Sequence, residues 1–240
     1  MGFKDIGASV PQLREVCDRA HADGLEVMLE VVSTTREAEL RSVAAAVEIG
    51  VDWLLGGTHP EDGLKILNAG AAGGGAAGGR AGGGAAGGRA GGGAAGGQAG
   101  GGAAGGQAGN EPRPKYCPFP GTVVGHPSIL RGDIAEIAEI GRRMTALDGV
   151  FGLDLLAYRH ERADAAELTR AVVMAASGPV IAAGSVASTA QIAALDNAGA
   201  WGFTIGGAIF EGRLPGGPSV AGQVAEVLRA AAGRGPQAQS

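Results

Sequence analysis

Two periodicities alternate along the chain. Short apolar runs occur at Gly2–Ile6, Glu26–Val32, Asp52–Gly56, Tyr116–Phe119, Phe151–Tyr158, Pro179–Gly184 and Trp201–Gly207. Between most of them the apolar residues recur at helical spacing, as in Leu40, Val43, Ala44 and Val47, or Ile134, Ile137 and Ala138. The pattern predicts seven strands separated by amphipathic helices. Helix starts are marked by a capping oxygen with a carboxylate or amide three residues on: Thr34 with Glu37, Thr58 with Glu61, Asp133 with Glu136, Ser188 with Gln191. Ser219 marks the last helix more weakly, because Gly222 stands where Glu or Gln would complete the box. Repeated strand–helix units predict an α/β fold with a parallel sheet.

The period-two pattern also assigns faces. In Glu26–Val32 the apolar Val27, Leu29 and Val31 suit the helix-covered face, which sends Glu30 to the other. In Phe151–Tyr158 the same rule sends Phe151, Leu153, Leu155 and Ala157 outward and Asp154 inward with Tyr158. Phe3 outward leaves Lys4 inward. Lys4, Glu30 and Asp154 are therefore the catalytic candidates, Glu30 as a base and Lys4 polarising a carbonyl oxygen, chemistry suited to proton abstraction next to a carbonyl. An ion pair of Lys4 with either carboxylate, serving only the fold, is the competing reading. His59, beyond the third strand, His126, after the Pro118-Phe-Pro-Gly turn, and Arg159 are candidate substrate contacts. Arg159 could equally pair with Glu161 or Asp164.

Composition changes the picture in one place. Of 240 residues, 47 are glycine, and many fall in a nine-residue unit, Ala-Gly-Gly-Gly-Ala-Ala-Gly-Gly-Arg/Gln, repeated four times over 72–107. The unit lacks the aspartate and large apolar residue of calcium-binding nonapeptide rolls. With no side chain to bury, it is expected to form a flexible insert that adds nothing to the core. The expected organisation is 1–69 and 111–232 as two parts of one fold, 70–110 as a low-complexity insert and 233–240 as a disordered tail. The net charge of −5 is spread without a basic run, so nucleic acid is not an expected partner. No apolar stretch is long enough for a membrane span and no signal-peptide pattern opens the chain, which predicts a cytoplasmic protein without a membrane partner. Cys17 and Cys117 are expected as free thiols, and the histidines lack metal-ligand spacing, so no metal site is indicated.

The stretch Gly178-Pro-Val-Ile-Ala-Ala-Gly-Ser-Val, followed by Ser188-Thr-Ala-Gln-Ile-Ala-Ala-Leu and Gly199-Ala-Trp-Gly-Phe-Thr-Ile-Gly-Gly-Ala-Ile-Phe-Glu-Gly, resembles the last two units of the ribulose-phosphate-binding (β/α) barrel superfamily. That group includes N-acetylmannosamine-6-phosphate epimerase and the histidine-biosynthesis isomerases. The resemblance implies a TIM-like barrel with a substrate phosphate held by backbone amides at Gly184, Ser185, Gly206 and Gly207. Counting back from it makes Gly2–Ile6 the second strand, so a missing first unit, an unpaired edge and a possible homo-oligomer are expected. The expected function is a sugar-phosphate isomerase, epimerase or lyase of carbohydrate metabolism, with a small phosphorylated metabolite as partner and no dissociable organic cofactor. Alternatives are a non-catalytic phosphometabolite-binding regulatory barrel and a class I aldolase using Lys4.

Overall fold

A computed structural model describes residues 1–33, 35–73 and 113–232. Most of the repeat insert, the 233–240 tail and Thr34 lie outside the described residues. The chain is an α/β fold in which all seven expected strands form, each shorter than its apolar run. Strands β1 (Gly2–Lys4), β2 (Met28–Val31), β3 (Trp53–Gly56) and β4 (Lys115–Cys117) make one parallel sheet in that order. They alternate with helices α1 (Val10–Ala22), α2 (Arg36–Ile49) and α3 (Pro60–Gly73). After β4 comes a hairpin the sequence pattern did not predict, β5 (Thr122–Val124) antiparallel to β6 (Ile129–Arg131). Then follow α4 (Ile134–Thr145), β7 (Leu153–Leu155), α5 (Ala165–Ala175), β8 (Val180–Ala182), α6 (Thr189–Asn197), β9 (Gly202–Phe203), the one-turn α7 (Gly207–Phe210) and α8 (Val220–Ala232). Strands β7, β8 and β9 form a second parallel sheet.

The two parallel sheets are tied together by backbone. The N–H of Phe151 donates to Tyr116 O at 2.8 Å and that of Asp154 to Pro118 O at 3.0 Å. Among the described residues, β1 pairs with β2 alone and β9 with β8 alone.

Period-two alternation sorts the side chains as the sequence predicts. Leu29, Val31, Leu54 and Tyr116 pack with Leu13, Val43 and Leu67 under α1 to α3. Leu153, Leu155 and Val180 pack with Ile137, Leu168 and Val172 under α4 and α5. On the opposite face Trp53, Leu55 and Cys117 meet Ile181 from the other sheet. Both cysteines are buried free thiols, and burial pushes the Cys117 thiol up to about 12.

Several details depart from expectation. Phe151 does not join the helix-covered core: it is 41% exposed and packs edge-on against Trp53, ring centroids 5.2 Å apart. Tyr158 does not point inward, because the chain leaves β7 in a 3-10 turn, Ala157–Arg159, that carries it over α6, where its hydroxyl donates to Gln191 O. The Thr34 cap falls outside the described residues, and Thr35 caps α2 by accepting from Ala38 N. Thr58 does not cap α3 in the expected way; its amide and hydroxyl both turn to Glu39. Helix α3 continues four residues past 69, into the start of the low-complexity segment.

Ser188 does cap α6, accepting from Gln191 N at 3.2 Å, while Gln191 Oε1 accepts from Ala187 N. Ser188→Ala is expected to cost about 1 kcal/mol, read as a lower urea midpoint at unchanged slope.

Candidate functional site

Register places the catalytic candidates in one row. Lys4 pairs across with Glu30, Glu30 with Leu55, and Leu55 with Cys117, while in the second sheet Asp154 pairs with Ile181. Because side chains at paired positions share a face, Lys4, Glu30 and Asp154 lie on the face that carries Leu55, Cys117 and Ile181. Lys4 Nζ stands 4.0 Å from Glu30 Oε2, the lysine side chain 43% and the glutamate 21% exposed. Burial raises the Glu30 carboxyl above its ordinary value, opposed by the charges of Lys4 and Arg159.

Asp154 is fully buried, and neither of its oxygens has a hydrogen-bond partner among the described residues. Desolvation, and next the charge of Glu30, push its carboxyl far above the usual range, with Lys4 pulling the other way. A buried carboxylate without donors is costly, which favours the protonated form.

Above this row a cavity of about 630 Å³ opens, lined by Lys4, Glu30, Arg159 and the turns Gly184-Ser185 and Gly206-Gly207. Gly184 and Ser185 both take positive φ, 85° and 73°. Ser185 is a rare non-glycine residue in that region. A Cβ at Gly184 would lie 2.8 Å from Arg159 Cγ, so the bare glycine lets the arginine cross the turn and donate from Nε to Ser185 Oγ at 3.1 Å. Arg159 thus takes neither of its suggested acidic partners: Glu161 pairs with Arg131, and Asp164 caps α5. Gly206 is the N-cap of α7, and a Cβ there would meet nothing within 4 Å. Glu211, also in the cavity wall, is paired with Arg213 at 2.5 Å.

The histidines do not join this cavity. His59 lies in the turn after β3, where its Nδ1 is 2.9 Å from the buried Glu39 and its backbone N–H donates to the same carboxylate. His126 is exposed in the β5–β6 turn. The sequence reading missed Ser128, which is buried and lines the cavity from that hairpin. Two short alternating runs bounded by Gly121 and Gly132 were the signal that could have found it. Among the described residues no group of three or more His, Cys, Asp or Glu could hold a metal ion, and no helix is long and apolar enough to cross a membrane.

No protein-family model matches the chain, and no curated protein matches it. Among solved structures it is similar to the crystal structure of the Amycolatopsis orientalis BexX/CysO complex, at 14% identity and a TM-score of 0.45, covering 100% of this chain and 93% of that one. The resemblance of Gly178–Gly212 to the ribulose-phosphate-binding superfamily is corrected: no family model returns it, and the described strands pair as two small parallel sheets and a hairpin, with no closed barrel shown. Glycine-rich turns follow buried parallel strands in many unrelated proteins, so they do not identify a family. The strand count that made Gly2–Ile6 a second strand rested on that resemblance alone. What stands is an α/β fold with parallel sheets, whose charged row opens into a glycine-walled cavity.

Proposed function

We propose that this cavity is the active site of an isomerase, epimerase or lyase acting on a small sugar phosphate. The observation that carries the reading is the lining of one cavity by a lysine–glutamate pair and two glycine turns. The turns at Gly184-Ser185 and Gly206-Gly207 offer backbone amides at close approach, as a phosphate requires, and first-turn amides such as that of Gly207 have no acceptor within their helix. Arg159 adds a cation. Glu30, with its affinity for protons raised by burial, abstracts a proton next to the substrate carbonyl, and Lys4 stabilises the oxyanion that forms. Burial favours the protonated form of Asp154 on the same face, which limits the negative charge in the row. A Schiff-base role for Lys4 has less support, since it needs a desolvated amine and this side chain is 43% exposed.

We also infer that the seven parallel strands wrap this cavity as an incomplete (β/α) barrel, open between β1 and β9. The packing of Ile181 with Trp53, Leu55 and Cys117 supports it, as does the cavity's lining by Phe3 and Phe203 together.

Calorimetry with glycerol 3-phosphate, and glycerol as the phosphate-free control, tests the phosphate site. The space open above Gly206 is where the phosphate would sit, so Gly206→Val is expected to weaken glycerol 3-phosphate at least tenfold, about 1.4 kcal/mol. The fold should persist, because the added Cβ meets no neighbour. Absence of phosphate binding by the unaltered chain, or equal binding by the variant, would remove the reading's main support.

A further inference from the structure

The cavity does not end at Arg159. A second, more open cleft of about 730 Å³ adjoins it, running between the β5–β6 hairpin and the turn after β7. Ser128, Arg159 and Ser185 line both spaces. The outer cleft adds Arg162, which is exposed and has no ion-pair partner among the described residues. Its one carboxylate, Glu161, is already bound by Arg131. The cleft's histidine is committed too: His160 Nε2 meets Gly132 O at 2.8 Å, and Nδ1 accepts from the backbone of Arg162 and Ala163.

The outer cleft therefore presents two guanidinium groups with no carboxylate in ion-pair contact among the described residues, Arg159 acting on Glu30 only at longer range. Arg159 uses Nε on Ser185, which leaves its two terminal nitrogens for a planar acceptor. Arginine charge without a salt-bridge partner among the described residues, in a cleft continuous with the proposed phosphate site, favours a ligand with a second anion. Size agrees. The inner cavity alone falls in the range of sites for ligands of drug size, and the outer cleft extends it further.

The geometry points to a doubly anionic ligand: a phosphate at the Gly184 and Gly206 turns, and a second phosphate or carboxylate in the outer cleft against Arg159 and Arg162. This rests on the phosphate site proposed above and specifies the substrate class.

The test is calorimetry on the full chain with ligand pairs that differ in the second group. Fructose 6-phosphate is compared with fructose 1,6-bisphosphate, and sorbitol 6-phosphate with 6-phosphogluconate. At least one doubly charged ligand is expected to bind roughly tenfold tighter than its partner at low salt, and the pair with the larger gain identifies the second group. Arg162→Gln is expected to erase that gain while leaving the singly phosphorylated ligands unchanged. Single phosphates that bind without any gain from a second anion would overturn this inference alone, as would equal weakening of both ligand types in Arg162→Gln. If no phosphorylated ligand binds, the phosphate site and this inference fail together.

Discussion

At pH 7 the Asp154→Asn protein is expected to unfold at a higher denaturant concentration than the unaltered chain, with the difference closing near pH 4. Asp154 is fully buried, with no donor for either oxygen among the described residues, and desolvation raises its carboxyl far above the ordinary value. In the unfolded chain the same group ionises with a pKa of about 3.9. Between these two values the native state holds a proton that the unfolded state releases, so stability falls as pH rises through that window. Below it both states are protonated and no penalty remains. The slope for one such group is at most about 1.4 kcal/mol per pH unit. Asparagine keeps the shape and never ionises, so its unfolding free energy should lack this slope. Urea unfolding at pH 4, 5, 6 and 7 measures the divergence; parallel curves for the two proteins would show that Asp154 is ionised in the fold and has found partners.

Glu30→Gln is expected to lower proton exchange on a bound carbonyl substrate by roughly 10²–10⁴-fold, the range for loss of a positioned general base. The readout is deuterium incorporation from solvent into dihydroxyacetone phosphate, followed by NMR. In the unaltered chain the exchange rate should rise with pH through a value above the ordinary carboxylate range, because burial raises the Glu30 carboxyl more than Lys4 and Arg159 lower it. Glutamine is nearly isosteric and still faces Lys4, so affinity for glycerol 3-phosphate should change little. Exchange that survives in Glu30→Gln would remove this residue as the base, and a loss of phosphate affinity of equal size would recast it as part of the binding surface.

The central features of the site were legible in the sequence because they follow from a period of two. Once Leu29 and Val31 are given to the helix-covered face, Glu30 has only the other, and Leu153 and Leu155 dispose of Asp154 in the same way. The pairing of Lys4 with Glu30 then follows from parallel register. The rule fails where the backbone stops being a strand. Tyr158 was counted along β7, but a 3-10 turn begins at Ala157 and rotates the side chain out of phase. His59 lies on the turn the pattern gives it, but its partner Glu39 comes from α2, twenty residues earlier, and no local pattern announces a contact at that separation. The glycine turns were legible as turns and not as a lineage, because φ near 85° at Gly184 and the close passage of Arg159 explain that glycine without any common ancestor.

The neck between α3 and β4 bears on how such a chain can change over generations. The described fold is left at Gly73 and rejoined at Arg113, whose guanidinium donates to the side-chain carbonyl of Asn68. This junction enters β4 at Lys115, level with Gly2 and Met28 at the start of β1 and β2, whereas Lys4, Glu30 and the turns beyond β8 and β9 lie toward the other end of the strands. In parallel strand–helix proteins the two ends of the strands serve different purposes, one for stability and one for chemistry. Here the seam lies at the strand ends opposite the candidate residues Lys4 and Glu30. A tandem repeat at that seam can gain or lose whole units by slippage in the gene, and such a change of length is expected to leave the positions of Lys4, Glu30 and the glycine turns undisturbed.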